Sequence, residues 1–113
     1  MTLQQYCAAA LALFRRQPDT SRRTSRQDRE VAAHLYRRNV ALDILAHVMR
    51  LARLRRAANS NLGTIRSLAY YRTVLDSLPP EDLEPDYIAY VAASAARLDQ
   101  TNRDRFPSRS AGA

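Results

Sequence analysis

Four arginines, Arg50, Arg53, Arg55 and Arg56, cluster at the end of the most apolar stretch of the chain. A guanidinium stays charged at physiological pH and forms paired hydrogen bonds to phosphate oxygens. Complementing the negative end of a helix dipole accounts for one or two basic residues in a last turn. Four suggest an anion contact. Arg37 and Arg38 lie upstream, and Arg66 and Arg72 lie downstream on either side of Tyr70. Arginines at these positions, with those of the 22–29 loop, would neutralise phosphates, and an exposed Tyr70 would stack on an unpaired base. The candidate nucleic-acid-binding set is therefore Arg37, Arg38, Arg50, Arg53, Arg55, Arg56, Arg66, Tyr70 and Arg72.

Other reactive residue types are thinly placed. Asp43 and His47 are i,i+4 neighbours, but no nucleophile or oxyanion donor accompanies them. They read as a weak surface ion pair rather than a catalytic dyad. His34 has only Glu30 near ligand spacing and reads as a surface histidine. Cys7, the single cysteine, sits in an apolar stripe and reads as a small buried residue. Zinc spacing, a phosphate-cradling glycine loop and a nucleophile motif are all missing from the sequence. No catalytic, cofactor or metal residue is expected, and an enzyme is the least favoured class.

Charge supports the phosphate reading. The net charge is +7 and every cation is arginine. Arginine-rich codon usage in a GC-rich genome would explain the missing lysine but not the distribution. Residues 1–56 hold 12 arginines against four acids, whereas residues 57–113 hold six against seven. Such asymmetry suggests a basic face for a polyanion. The lone cysteine fits a reducing compartment, no apolar run reaches the roughly 20 residues of a membrane span, and the N-terminus lacks a signal-peptide pattern. Cytoplasm and no membrane are the expectation.

The elements that must position these residues all have a helical period. Leu3, Cys7, Ala10, Leu11 and Phe14 predict a first helix over 3–16, with Thr2 and Gln5 at capping-box spacing. Residues 17–27 form a polar connection, read as a solvated loop or a flexible basic arm. Thr24 and Gln27 repeat the capping-box spacing and predict the start of a second helix, about 26–38. Asn39 tolerates the left-handed conformation and predicts a break. The third helix, Asn39–Arg56, is apolar over about two-thirds of its circumference, which marks it as central. Its narrow polar strip holds Asp43, His47, Arg50 and Arg53. A turn cluster at 57–64 precedes a fourth helix, about 65–78, whose core face is Leu68, Tyr71, Val74, Leu75 and Leu78. Adjacent residues diverge by 100°, so Tyr71 faces the core and Tyr70 the surface. Pro79-Pro80 ends this helix, 81–84 is an acidic linker, and a fifth helix runs from about Pro85 to Leu98. Residues 99–113 lack periodicity and predict a disordered tail.

Ile65-Arg66-Ser67-Leu68-Ala69-Tyr70-Tyr71, followed by Val74-Leu75 and preceded by a basic helix, resembles a motif of the form IRSLAYF. That motif belongs to the C-terminal helical segment of bacterial replication-initiator-like proteins, often encoded on mobile elements. The layout is also similar to the DnaD-like module of primosome-loading proteins, with its polar turn and Tyr-bearing helix. The likeness spans about 31–98. It implies DNA contact near the start of the fourth helix. The space before residue 31 holds no winged helix-turn-helix, so it also implies a stand-alone module.

The expected fold is an all-α bundle of five helices around helix three, one domain over 1–98. The expected function is a small basic DNA-binding accessory module linked to replication or mobile elements. Its partners would be DNA and a replication or recombination protein. The alternative is a protein-interaction module that docks on an acidic partner or self-associates.

Overall fold

The computed structural model describes residues 1–59 and 61–105. Five α-helices form a bundle: α1 (Leu3–Arg16), α2 (Arg26–Arg37), α3 (Leu42–Ala57), α4 (Leu68–Ser77) and α5 (Pro85–Arg105), with a 3₁₀ turn at Pro80–Leu83. Among the described residues there is no strand, only an isolated parallel bridge between Thr20 and Ile65. No described helix is long and apolar enough to cross a membrane.

α1 forms where its stripe predicts. Thr2 and Gln5 cap each other's backbone reciprocally, and Cys7, Ala10, Leu11 and Phe14 are buried. The second capping box is displaced by one residue from the sequence expectation. Ser25 is the N-cap and Asp28 answers it, in place of Thr24 and Gln27. Just past the end of α2, Asn39 adopts φ 59° and breaks the helix as expected. The Val40 amide donates to the Leu35 carbonyl and the Asn39 amide to that of Tyr36, so the terminal carbonyls are satisfied by a Schellman turn. The Tyr6 hydroxyl then donates to the Val40 carbonyl at 2.6 Å, fixing how the chain enters α3.

α3 contacts α1, α4 and α5, but α2 packs on α1 and α4. The expected bundle around a central α3 is what the structure has, with α2 joining the same core mainly through α1 and α4. The core gathers Phe14, Leu35, Leu45, Val48, Met49, Leu68 and Tyr71, with Phe14 and Tyr71 edge to face. The 17–27 connection is largely exposed, as a solvated loop would be, but it is not a free arm. Thr20 is buried, and its hydroxyl lies 3.1 Å from the Phe14 carbonyl and 2.8 Å from that of Gln17. The Ser21 amide donates to the Ile65 carbonyl and the Ile65 amide to that of Asp19. These bonds tie the first basic loop to the strand-like entry of α4.

His47 is the clearest reversal. It is fully buried instead of lying on an exposed polar strip, so the expected surface pair with Asp43 does not form. The 3₁₀ turn folds over this side of α3. Nε2 of His47 meets the Asp82 carbonyl at 2.8 Å, and the ring stands edge-on to Tyr87. A carbonyl only accepts, so Nε2 carries the hydrogen. The expected tail also changes. Residues 99–105 continue α5, held by links such as Gln100 to Asp104 and Arg103 to Gln100. Polar i,i+3 and i,i+4 links sustain a helix without apolar periodicity. The remainder of the expected tail, 106–113, lies outside the described residues.

Candidate nucleic-acid interface

α1 and α5 both rest on α3 but do not pack closely on each other. A groove of about 1510 Å³ opens between them. Its lining includes small residues from α3 and α5, among them Ala46, Ala57, Ala92 and Ala96. Arg16 at the end of α1, Arg22 from the connection, Arg50, Arg53 and Arg56 from α3, and Arg103 from α5 line it. Among the described residues Asp19 and Asp99 are the only acids in the lining. Positions 46, 50, 53 and 57 recur at helical spacing, so one face of α3 supplies both the room and the charge.

The arginines divide into two classes. Arg53 pairs with Asp99, and Arg56 lies 3.5 Å from Asp19 while also donating to the Gly63 carbonyl. Both side chains are only 14% exposed. Arg16, Arg22, Arg50 and Arg103 are exposed and make no ion pair among the described residues. The groove thus has four unneutralised cations at its rim and two ion pairs at its base.

Under that base lies a polar cluster. Both Asp19 carboxylate oxygens, Arg56 Nε and the Tyr71 hydroxyl are buried without a hydrogen-bond partner among the described residues. Burial lowers the Arg53 guanidinium from its ordinary pKa, while Asp19 pulls it back. Burial, and then the Asp19 charge, raise the Tyr71 pKa well above its ordinary 10.0, with Arg56 and Arg53 opposing. A neutral tyrosine is therefore favoured in the fold. The resulting stability is complete below pH 10.0 and is lost as pH rises from there toward the folded-state value. Tyr71→Phe removes a hydroxyl that has no partner. We expect it to hold or gain up to about 1 kcal/mol at pH 7 and to lose less than the parent between pH 8 and 10.5. Urea midpoints at both pH values measure this, and an equally steep alkaline loss would contradict it.

Of the residues expected from sequence, Arg50, Arg53 and Arg56 meet in the groove. The others lie elsewhere. Arg38 pairs with Asp76 at 2.8 Å and Arg55 with Asp82 at 3.7 Å. Arg37 and Arg66 are exposed outside the lining, and Arg72 is half-buried. Tyr70 is at the surface as expected, but the Arg56 guanidinium covers one ring face, 5.5 Å from the centroid. Sequence reasoning missed Arg16, assigned only to the α1 dipole, and Arg103, assigned to the tail.

Arg22 stands out in its backbone. It has φ 60°, a left-handed conformation that costs a non-glycine residue about 1 kcal/mol. Its amide donates to the Thr20 hydroxyl at 3.2 Å, which holds the turn. Arg22→Gly should therefore raise stability by up to about 1 kcal/mol while removing one rim cation. Thermal unfolding and anion binding, measured on the same sample, should move in opposite directions. A drop in both would show that the Arg22 side chain supports the fold.

No family model, curated protein or solved structure matches the chain.

Proposed function

We propose that this protein is a small nucleic-acid-binding module that holds the phosphate backbone in the groove between α1 and α5. The observation that carries this reading is the lining itself: six arginines against two aspartates around an open concavity. Four of the six are unpaired among the described residues, so they offer charge that the fold does not consume. The Ile65–Tyr71 likeness to replication-initiator segments points to DNA and to a replication or mobile-element setting, with a replication or recombination protein as a second partner. The groove is a different surface from the start of α4 that the likeness favours, and it shares Arg56 with it through the contact to Tyr70.

Phosphate contacts made by these four arginines would release counterions on binding. The logarithm of the binding constant should then fall with the logarithm of salt concentration with a slope of about −3 to −4. That is a loss of about 10²-fold between 50 and 200 mM salt. Fluorescence anisotropy with a labelled DNA oligonucleotide measures it. Binding that ignores salt would rule out phosphate contacts.

One feature favours a second reading, self-association. Tyr90 is 62% exposed and stacks on Tyr87, on α5. Light scattering with and without DNA separates the two readings, since self-association changes mass in the absence of DNA.

A further inference from the structure

We infer that the groove accepts a single strand, backbone inward, in preference to a duplex. The inference rests on the nucleic-acid reading above and goes further by naming the form of the ligand. A duplex is usually read by an element that protrudes, because the major groove, about 12 Å wide, admits a helix from outside. Here the basic face of α3 does not protrude. It is the base of a cleft walled by α1 with its following loop on one side and by α5 on the other. Arg53 and Arg56 are only 14% exposed, so a rigid double helix resting on the rim does not reach them. A flexible strand does, because it fits between the walls where the lining of α3 and α5 includes several alanines.

Length agrees with this. The lining runs from Ala46 to Ala57 on α3 and from Ala92 to Arg103 on α5. At 1.5 Å per residue each edge is about 16 Å long. At a stacked rise of 3.4 Å per nucleotide this spans about five phosphates, and fewer if the strand is stretched. Among the described residues no aromatic ring lines the groove, so none of them offers a stacking platform for bases inside it. Cations inside and no rings inside place the phosphates toward the protein and the bases outward. Binding should then depend little on base identity.

The test compares a labelled oligothymidine of about 15 nucleotides with a blunt duplex of equal length at about 50 mM salt. The single strand should bind about tenfold more tightly, and oligodeoxyadenosine should match oligothymidine within about threefold. The deciding variant is Ala96→Leu, which narrows the groove at an exposed position of its α5 wall and leaves every arginine in place. It should weaken single-strand binding at least about fivefold while duplex binding stays the same, and Ala96→Ser should behave as the parent. Circular dichroism establishes that both variants keep the helical fold. Duplex binding equal to or tighter than single-strand binding overturns this inference and leaves the nucleic-acid reading standing. So does an Ala96→Leu variant that binds the strand normally. Failure of either nucleic acid to bind at low salt overturns both readings.

Discussion

Replacing Asp28 with alanine is expected to remove about 3–4 kcal/mol of folding stability, the largest effect of any single substitution proposed for this chain. Asp28 is buried and accepts four hydrogen bonds. Oδ2 takes the Ser25 amide at 2.8 Å and the Ser25 hydroxyl at 3.2 Å. Oδ1 takes the Leu68 amide at 2.9 Å and the Ser67 hydroxyl at 3.3 Å. Ser25 is the N-cap of α2 and Ser67 the N-cap of α4. One carboxylate therefore sits at the positive ends of two helices and satisfies an otherwise free amide in each. Hydrogen bonds to a charged group contribute about 1.5–3 kcal/mol each, and the buried Leu68 amide would lose its partner altogether. Against a total stability of about 5–15 kcal/mol, such a loss is a large fraction. The urea midpoint should fall by about 2 M. Asp28→Asn keeps one acceptor oxygen but turns an NH₂ toward the other pair of donors, so it should fall between parent and alanine. A midpoint shift below about 0.5 M for the alanine variant would mean that water replaces the carboxylate without cost.

The capping role of Asp28 also shows where sequence stops being informative. Two overlapping capping registers exist, Thr24 with Gln27 and Ser25 with Asp28. Gln27 fits the local pattern better. The second register wins because Asp28 also meets Leu68, 40 residues away, and nothing local encodes that contact. His47 is the same kind of case. Its place on the α3 wheel is polar, yet the 3₁₀ turn covers that side and offers a carbonyl. Periodicity assigns a face to a residue, not the segment that closes over the face. What periodicity and backbone chemistry do dictate came through well. α1 has the bounds its stripe predicts, Asn39 is left-handed, and Tyr71 rather than Tyr70 faces the core. Positive charge near the end of α3 was legible as a cluster. Its partition was not, because Asp19, Asp82 and Asp99 reach Arg56, Arg55 and Arg53 only through the tertiary fold. Of the arginines expected to bind, those three are instead tied to acids, as is Arg38 to Asp76.

That partition decides how the binding surface should be dissected. Changing Arg16, Arg22, Arg50 and Arg103 together to glutamine should lower single-strand affinity by about 10²–10³-fold at 0.1 M salt. Four lost phosphate contacts each cease to release about 0.7 counterions. None of the four makes an ion pair among the described residues, and all are exposed, so each change should shift stability by no more than about 0.5 kcal/mol. Arg53, Arg55 and Arg56 changed to glutamine would behave differently. Asp19 would keep two buried oxygens with no cation beside them, and the fold would lose about 2–3 kcal/mol, a value reduced from the fully buried case by the 14% exposure of Arg53 and Arg56. Weak binding by that variant would not separate a lost contact from a loosened fold. Asp99→Asn supplies the complementary gain. It removes a negative charge from the groove and frees Arg53 to meet a phosphate. One charge at about 5 Å in water corresponds to about 0.8 kcal/mol, so affinity should rise about fourfold. Anisotropy titrations of both variants beside thermal unfolding curves measure the two effects on one scale. If the rim variant binds as tightly as the parent while Asp99→Asn changes nothing, the groove between α1 and α5 is not where this protein holds its ligand.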